Sequence, residues 1–253
     1  MKKMLLILMG CLLGFSLLAQ EEITRQLKET KVEPPRFEKP MEEKVEEDVV
    51  KPSPIGQYIQ EELIIPEVEY GYYNEGIVAV EFTVEADRSV ANFVVTNPVS
   101  FELDQAVIDC LKETDGMWTP GKVNGNYASM QKKVYVKFDI LGNPSHIEMA
   151  KHYYLNGTDL YQRALANKEE HTVKADRQAK RRLNRALYAL NEAMRYKPED
   201  PSIIIQQAMI YHQQGDEAQK QEKLDQYQEA LDAIAVRSET GGVMDMAVIT
   251  RSK

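Results

Sequence analysis

The stretch from residue 76 to residue 140 constrains the fold most, because its apolar residues follow two different periods. Its first run, GIVAVEFTVEA, and its last run, MQKKVYVKFDI, alternate apolar with polar positions. Such alternation is typical of half-buried strands. A second strand, SVANFVVTN, follows a turn at Asp87-Arg88, and one helical face then carries Leu103, Val107, Cys110 and Leu111. The stretch therefore predicts two strands, a helix that covers one face of the sheet, and a third strand.

The order of these elements resembles the C-terminal domain of the TonB family. That family has a G-x-V-x-V-x-F-x-V strand, an acidic turn, an L-D-x-A helix, a W-x-P element, an N-G pair and a last strand that ends in Phe. The residues that carry the resemblance are Gly76, Val78, Val80, Phe82, Val84, Asp87, Leu103, Asp104, Ala106, Trp118, Pro120, Asn124, Gly125 and Phe138. The resemblance spans residues 60 to 141 and implies a small antiparallel sheet with one covering helix, in the order β-β-α-β.

One position departs from the family pattern. Arg88 stands where the family usually has Gly after the turn Asp. Because residues other than Gly are disfavoured at positive φ, we expect this hairpin to use another turn type.

Residues 1–19 predict an export signal, since two lysines precede an apolar run that ends at Leu18-Ala19. Cleavage after Ala19 releases the chain, whereas an uncleaved segment anchors it with the lysines inside. A lipoprotein site at Cys11 is disfavoured because the apolar run continues past it. The junction also resembles signal peptides of Bacteroidetes. We expect an exported protein of the periplasm or cell envelope of a Gram-negative bacterium, anchored in the inner membrane if the signal is not cleaved.

The remaining sequence divides into four parts. Residues 20–54 are rich in Pro, Glu and Lys, which predicts a disordered linker. Residues 55–142 are expected to form the domain that resembles TonB, and residues 143–236 have helical patterns that resemble tetratricopeptide repeats (TPR). Because fewer than three repeats are present, we expect a small helical bundle that leans on the sheet. Residues 237–253 are expected to form a flexible tail, and the fold class is α+β.

No group of residues predicts catalysis, a metal site or a cofactor. The histidines at 146, 152, 171 and 212 have no partner at ligand spacing, and no nucleophile, phosphate or dinucleotide motif is present. A net charge of −9 gives no general attraction to nucleic acid. Cys110 lies on the apolar helical stripe and is expected to be a packed thiol. Trp118 is expected to fill the core beside the last strand.

Two surfaces are candidates for partner binding. A basic face consists of Lys174, Arg177, Arg181 and Arg185, which share one side of a helix. It is either a solvated surface or a contact for acidic stretch 42–48, anionic lipid or an acidic partner. The TonB resemblance implies the second surface, a sheet edge that captures an extended segment by strand addition. That edge would be Lys132, Lys133, Val134, Tyr135, Val136, Lys137 and Phe138, unless its lysines only protect against aggregation.

These observations favour a non-enzymatic TonB-like envelope protein. It would bind a peptide segment of an outer-membrane transporter or another envelope protein, as in TonB-dependent transport if its N-terminus is anchored. A periplasmic scaffold whose TPR-like helices bind proteins is the alternative, and a cell-wall-binding protein is a third. The motif residues expected to be structural are Gly76, Leu103, Asp104, Ala106, Trp118, Pro120 and Gly125.

Overall fold

The structure is a computed structural model that describes residues 31–38, 53–66, 75–169, 172–240 and 244–251. Its strands are β1 (Val32–Glu33), β2 (Arg36–Phe37), β3 (Gly76–Val84), β4 (Val90–Asn97), β5 (Trp118–Thr119), β6 (Gly121–Val123), β7 (Asn126–Ala128), β8 (Met130–Ile140) and β9 (Met246–Arg251). Its helices are α1 (Pro54–Glu62), α2 (Phe101–Lys112), α3 (His146–Lys168), α4 (Val173–Tyr196), α5 (Pro201–Gln214) and α6 (Glu217–Thr240).

The fold class is α+β, as the sequence predicted. The predicted signal segment 1–19 lies outside the described residues, as does the acidic stretch 42–48. Within the described ranges, no helix has the length and apolarity that a membrane span requires.

A four-stranded sheet with the order β4-β3-β8-β9 organises the molecule. Strand β3 pairs antiparallel with β4 on one side and with β8 on the other, and β9 adds to β8 in parallel. Two smaller sheets accompany it, one of β1, β6 and β7 and one of β2 and β5. The tight turn between β6 and β7 uses Asn124 and Gly125, both with positive φ, which is the preferred chemistry of a two-residue hairpin.

One face of the large sheet forms the main core. The alternating apolar residues of β3 and β8 pack there against α1 and α2, which contribute Ile55, Ile59, Leu103, Val107 and Leu111. Trp118 is fully buried, as predicted, and its ring makes edge contacts with Phe82 and Phe37. Its indole Nε1–H donates to Thr114 Oγ1 over 2.9 Å, so the one polar atom of this core residue is satisfied.

The other face of the sheet is covered by the helical region. The Tyr135 hydroxyl of β8 donates to Glu199, which lies between α4 and α5, over 2.6 Å. The Arg195 guanidinium of α4 donates to the backbone oxygen of Glu75 over 2.8 Å. Within the bundle, Gly157 allows α3 to approach α4, because a Cβ there would lie 3.0 Å from Leu190. The prediction that the helices lean on the sheet is therefore confirmed.

Two segments predicted to lack structure contain strands. In the predicted linker, β1 pairs with β6 and β2 pairs with β5, because Phe37 packs against Trp118 and Tyr58. In the predicted tail, α6 runs on to Thr240 and β9 follows. The residues that hold β9 are Ala247 and Ile249, which are buried in the main core. A flexible tail over 237–253 is thus wrong for the described part of that segment.

The expectation of another turn type after Asp87 is also wrong. Arg88 has a φ of 79°, the left-handed region that Gly usually occupies. Its side chain offsets the strain, because the guanidinium donates to the backbone oxygen of Trp118 over 3.0 Å and to Glu38 over 3.2 Å. Its own backbone oxygen accepts from Gly116.

Candidate functional site

The strand predicted to form a free edge is an inner strand. β8 lies between β3 and β9, and each of its residues from Tyr135 to Ile140 is matched with a residue of β9. The prediction that Lys132–Phe138 is the outer edge is therefore wrong for residues 135–138, whereas Lys132, Lys133 and Val134 precede the residues that β9 matches. The only local signal for β9 is the short apolar run Ala247-Val248-Ile249 before Thr250, and its alternation between buried and exposed positions is visible only in the structure.

The predicted edge residues divide between the two faces of the sheet. The side chains of Val134, Val136 and Phe138 are buried in the main core. On the opposite face, Lys133 and Tyr135 meet Glu199, and Lys137 binds Asp139 over 2.7 Å. Lys132 pairs with Asp245, just before β9. All seven side chains are buried or half-buried, so only the backbone of this strand is suited to recognising an added segment.

The far side of β9 contacts α1. Gln60 Nε2 donates to the backbone oxygen of Val248 over 3.0 Å, and the Arg251 guanidinium donates to the backbone oxygen of Pro66 over 3.1 Å. Gly56 touches the strand directly, because a Cβ there would lie 2.3 Å from the Met246 oxygen. Helix α1 therefore holds β9 against β8 from outside.

Strand β4 forms the other edge of the sheet, and its pairing is irregular. Its register with β3 shifts twice, between Ala79 and Val80 and between Glu81 and Thr83. Asn92 has a φ of 56° in the same region. Bulges of this kind twist an edge and interrupt its row of backbone groups. In contrast, β3 and β8 pair without a shift from Gly76–Phe138 to Val84–Met130.

A carboxylate from the α4–α5 turn binds two neighbours on β8. Glu199 accepts from Lys133 Nζ and from the Tyr135 hydroxyl, both over 2.6 Å. Burial opposes ionisation of Glu199, but these two hydrogen bonds outweigh it and lower its pKa. Burial and the same carboxylate raise the pKa of Tyr135. Glu199 itself has a φ of 58°, a strained conformation for a non-Gly residue.

Three ligand-type side chains meet where β3 begins, β8 ends and α3 starts. The turn after β8 uses Gly142, and Ser145 and Glu148 form a capping box at the start of α3, which turns His146 back over the sheet. His146 Nε2 lies 3.9 Å from Glu75 Oε1 and 3.9 Å from Asp139 Oδ1. The sequence predicted no metal site at His146, because no second ligand stands at ligand spacing from it; the three residues come from distant positions.

The electrostatics of this cluster are set by burial. Glu75 is 1% exposed and His146 is 5% exposed. Burial lowers the pKa of His146 to about 4, so the imidazole is neutral near pH 7. Burial opposes ionisation of Asp139, but the hydrogen bond from Lys137 outweighs it and lowers the pKa of that carboxyl.

An apolar groove of about 560 Å³ lies between α2 and the segment after α1. Ile64, Phe101, Ala106 and Cys110 provide apolar lining, and its carboxylates are Glu62, Glu102, Asp109 and Glu113. Cys110 is 8% exposed, and burial raises the pKa of its thiol to about 11. The prediction of a packed thiol is confirmed.

The predicted basic face lies on α4. Its four members are all exposed: Lys174, Arg177, Arg181 and Arg185. Arg185 also lines a shallow groove between α3 and α4, together with Tyr153, Leu160 and Tyr188. Exposure fits a solvated face as well as a binding surface, so contact with an acidic partner stays a prediction.

The motif residues predicted to be structural lie around α2 and the strand ends. Leu103 is fully buried, and the Asp104 carboxylate accepts from the Val99 backbone N–H over 2.9 Å. Burial raises the pKa of Asp104 in spite of that bond. At Gly76 a Cβ would lie 2.9 Å from both Arg195 and Val99, so this position needs Gly. The others are Ala106 in the groove, Trp118 in the core, buried Pro120, and Gly125 in the β6–β7 turn.

The chain matches no protein-family model, no curated protein and no solved structure.

Proposed function

We propose that this protein is a non-enzymatic, TonB-like component of the bacterial cell envelope. It binds an extended peptide segment of an outer-membrane transporter or another envelope protein by strand addition. The binding site is the β8 edge, and the partner segment takes the position that β9 occupies. The motif resemblance over residues 60 to 141 and the export signal predicted for residues 1–19 support the class and the location.

One observation carries the proposal: the regular edge of the sheet holds a separate six-residue strand from the end of the chain. β9 pairs with β8 in parallel, from Tyr135–Met246 to Ile140–Arg251. A sheet edge that accepts one extended segment offers the same backbone donors and acceptors to another. Alternate positions of the added strand enter the main core beside Val136 and Phe138, as Ala247 and Ile249 do. We therefore expect a partner segment with small or branched apolar residues at alternate positions.

The test is a peptide-binding measurement on two forms of the protein. A fluorescent peptide with the sequence of Met246–Arg251 should bind saturably to a chain that ends at residue 243. The full chain should bind it at least about tenfold more weakly, because its own β9 competes at high effective concentration. A peptide with Asp in place of Ile249 is the control, since a carboxylate cannot be buried in that core position without a large cost.

A second measurement identifies the edge in the cell. A photo-crosslinking residue at position 137 of β8 should form adducts with an envelope protein, while one at position 94 of β4 should not. If the truncated chain keeps the circular dichroism spectrum of the full chain but does not bind the peptide, strand addition at β8 is contradicted. Equal adducts from positions 94 and 137 would contradict the choice of edge.

The groove between α3 and α4 favours the second candidate function, a scaffold whose helices bind proteins. Tyr188, which lines it, is 62% exposed, and Arg185 at its side belongs to the basic face. In this case Tyr188→Ala and Arg185→Glu would reduce partner retention by the full chain. Loss of β9 would then leave retention unchanged, which separates the two functions.

A further inference from the structure

The side chains that meet between the sheet and α3 have the composition of a small metal centre. They are one imidazole, His146, and two carboxylates, Glu75 and Asp139, whose facing ligand atoms all lie within 4.8 Å of one another. A cation between three such atoms needs only shifts of a few tenths of an ångström to reach the usual Zn–N and Zn–O distances of about 2.0–2.2 Å. The three residues come from three separate elements, so the fold itself brings them together.

The second observation is an unsatisfied buried carboxylate oxygen. Glu75 is 1% exposed, and its Oε1 has no hydrogen-bond partner in the described part of the chain. Its other oxygen, Oε2, accepts from Asn143 Nδ2 over 2.8 Å. Buried polar groups normally have a partner, and Oε1 points at the space between His146 and Asp139. An occupant of that space is the simplest way to satisfy this oxygen.

The remaining bonds of the cluster orient its ligand atoms. Asp139 Oδ2 accepts from Lys137 Nζ over 2.7 Å, which leaves Oδ1 toward His146. Such bonds to the non-ligating atoms are what outer partners of metal ligands supply. His146 Nε2 also lies 3.1 Å from the backbone oxygen of Phe138. A metal at Nε2 replaces this hydrogen bond, and the ring proton then lies on Nδ1, which is buried and has no hydrogen-bond partner in the described residues.

We propose that Glu75, Asp139 and His146 bind one divalent transition-metal ion, of which Zn²⁺ is the expected occupant. Two carboxylates balance the charge of a divalent cation, and imidazole favours Zn²⁺ over Mg²⁺ or Ca²⁺. The ion joins the start of β3, the end of β8 and the first turn of α3. Its role is structural: it ties the sheet to the helical region at the point where the chain passes from one to the other.

The test is Zn²⁺ binding by the full chain after removal of metals with a chelator. Titration against a chromophoric competitor should give one ion per chain, and Co²⁺ should give the visible absorption of a nitrogen- and oxygen-bound site. Because loss of an outer partner alone costs about 10–100-fold in affinity, loss of a ligand should cost about 100-fold or more. The variants are Glu75→Gln and His146→Gln. His152→Gln is the matched control, since His152 is an exposed histidine on the same helix.

The variants are checked for folding by circular dichroism, and Asp139→Asn replaces any variant that does not fold. The wild-type protein provides an independent measurement, since Zn²⁺ should raise its Tm and a chelator should reverse the rise. Saturable uptake of one ion that is lost in the ligand variants and kept in His152→Gln supports the site. Absence of saturable uptake by the wild-type chain, or equal uptake by all variants, overturns it.

Discussion

The two edges of the four-stranded sheet are terminated in different ways. On the β4 side the pairing is broken by two register shifts and by the left-handed Asn92. On the β8 side the pairing with β3 is regular, and from Tyr135 to Ile140 the edge is covered by β9, with α1 outside it. An edge blunted by its own irregularity needs no cover. A regular edge needs a covering strand to protect its backbone groups. When that strand comes from another part of the same chain, a partner segment can in principle replace it.

The largest effect is expected from the residue that holds the cover in place. Ile249 is 8% exposed in the main core, whereas Val248 is 41% exposed on the same strand. Ile249→Ala should lower the free energy of unfolding by about 2–5 kcal/mol. Val248→Ala and the β4 substitution Val94→Ala should each change it by less than about 0.5 kcal/mol. Urea unfolding measures the free energy of unfolding of all three variants. Similar costs for Ile249→Ala and Val248→Ala would mean that β9 is not packed as described.

The next effect concerns the helix that presses on β9. At Gly56 any Cβ would meet the backbone oxygen of Met246 at 2.3 Å, so Gly56→Ala should push α1 and β9 apart. Overpacking of this kind costs about 1–3 kcal/mol. Amide hydrogen exchange should become faster in β9 and stay the same in β4. Gln57→Ala, one residue further along α1, is the control and should protect β9 like the wild type. Faster exchange in both β9 and β4 would show a global loss of stability rather than a local loosening of β9.

A smaller effect is expected at Glu199, which binds Lys133 and Tyr135 of the inner strand β8. Glu199→Gln should cost about 1 kcal/mol near pH 7, the usual difference between hydrogen bonds to charged and to neutral groups. Because folding lowers the pKa of Glu199 below its ordinary value of 4.5, its contribution to the free energy of unfolding is present above that pH. It is lost as the pH falls through the lower folded value.

The measurement for Glu199 is urea unfolding of both proteins from pH 7 down to the acid range. The wild type and Glu199→Gln should differ at pH 7 and converge below pH 4.5, since protonation removes the charge from the wild type. Glu102→Gln, which changes an exposed carboxylate in the first turn of α2, serves as a comparison away from β8. A constant difference across this pH range would contradict an ionised Glu199 as the source of the effect.

The contrast between the two edges shows which parts of the sheet could be predicted from the sequence and which could not. Strict alternation in β3 and β8 predicted both strands, because each has one face in the main core. The burial of Trp118 and Cys110 followed from their apolar surroundings. The covered edge did not follow, because β9 is only six residues long and its partner lies more than a hundred positions earlier. Short strands are specified by such distant pairing rather than by their own pattern.

The buried cluster escaped prediction for a related reason. Glu75, Asp139 and His146 have no fixed spacing, and motif-based inference depends on spacing. Two local signals were present in the sequence, a Gly-Asn-Pro-Ser turn after β8 and a capping box that starts α3 at His146. They indicate a reversal of the chain. Neither signal reveals that the start of β3 faces this reversal, which only the β3–β8 register determines.

The smallest effect is expected in the rate at which the Cys110 thiol reacts, and this rate depends only on the β9 side of the sheet. Cys110 lines the groove between α2 and the segment after α1, and burial raises the pKa of its thiol from 9.0 to about 11. Since the thiolate is the nucleophile, this shift alone should slow disulfide exchange at pH 8 by about 100-fold relative to the unfolded chain. In protein that starts at Gln20, Cys110 is the only thiol. Gly56→Ala should speed its labelling by displacing α1, and Val94→Ala should not. Equal acceleration by both would mean that the groove opens independently of β9.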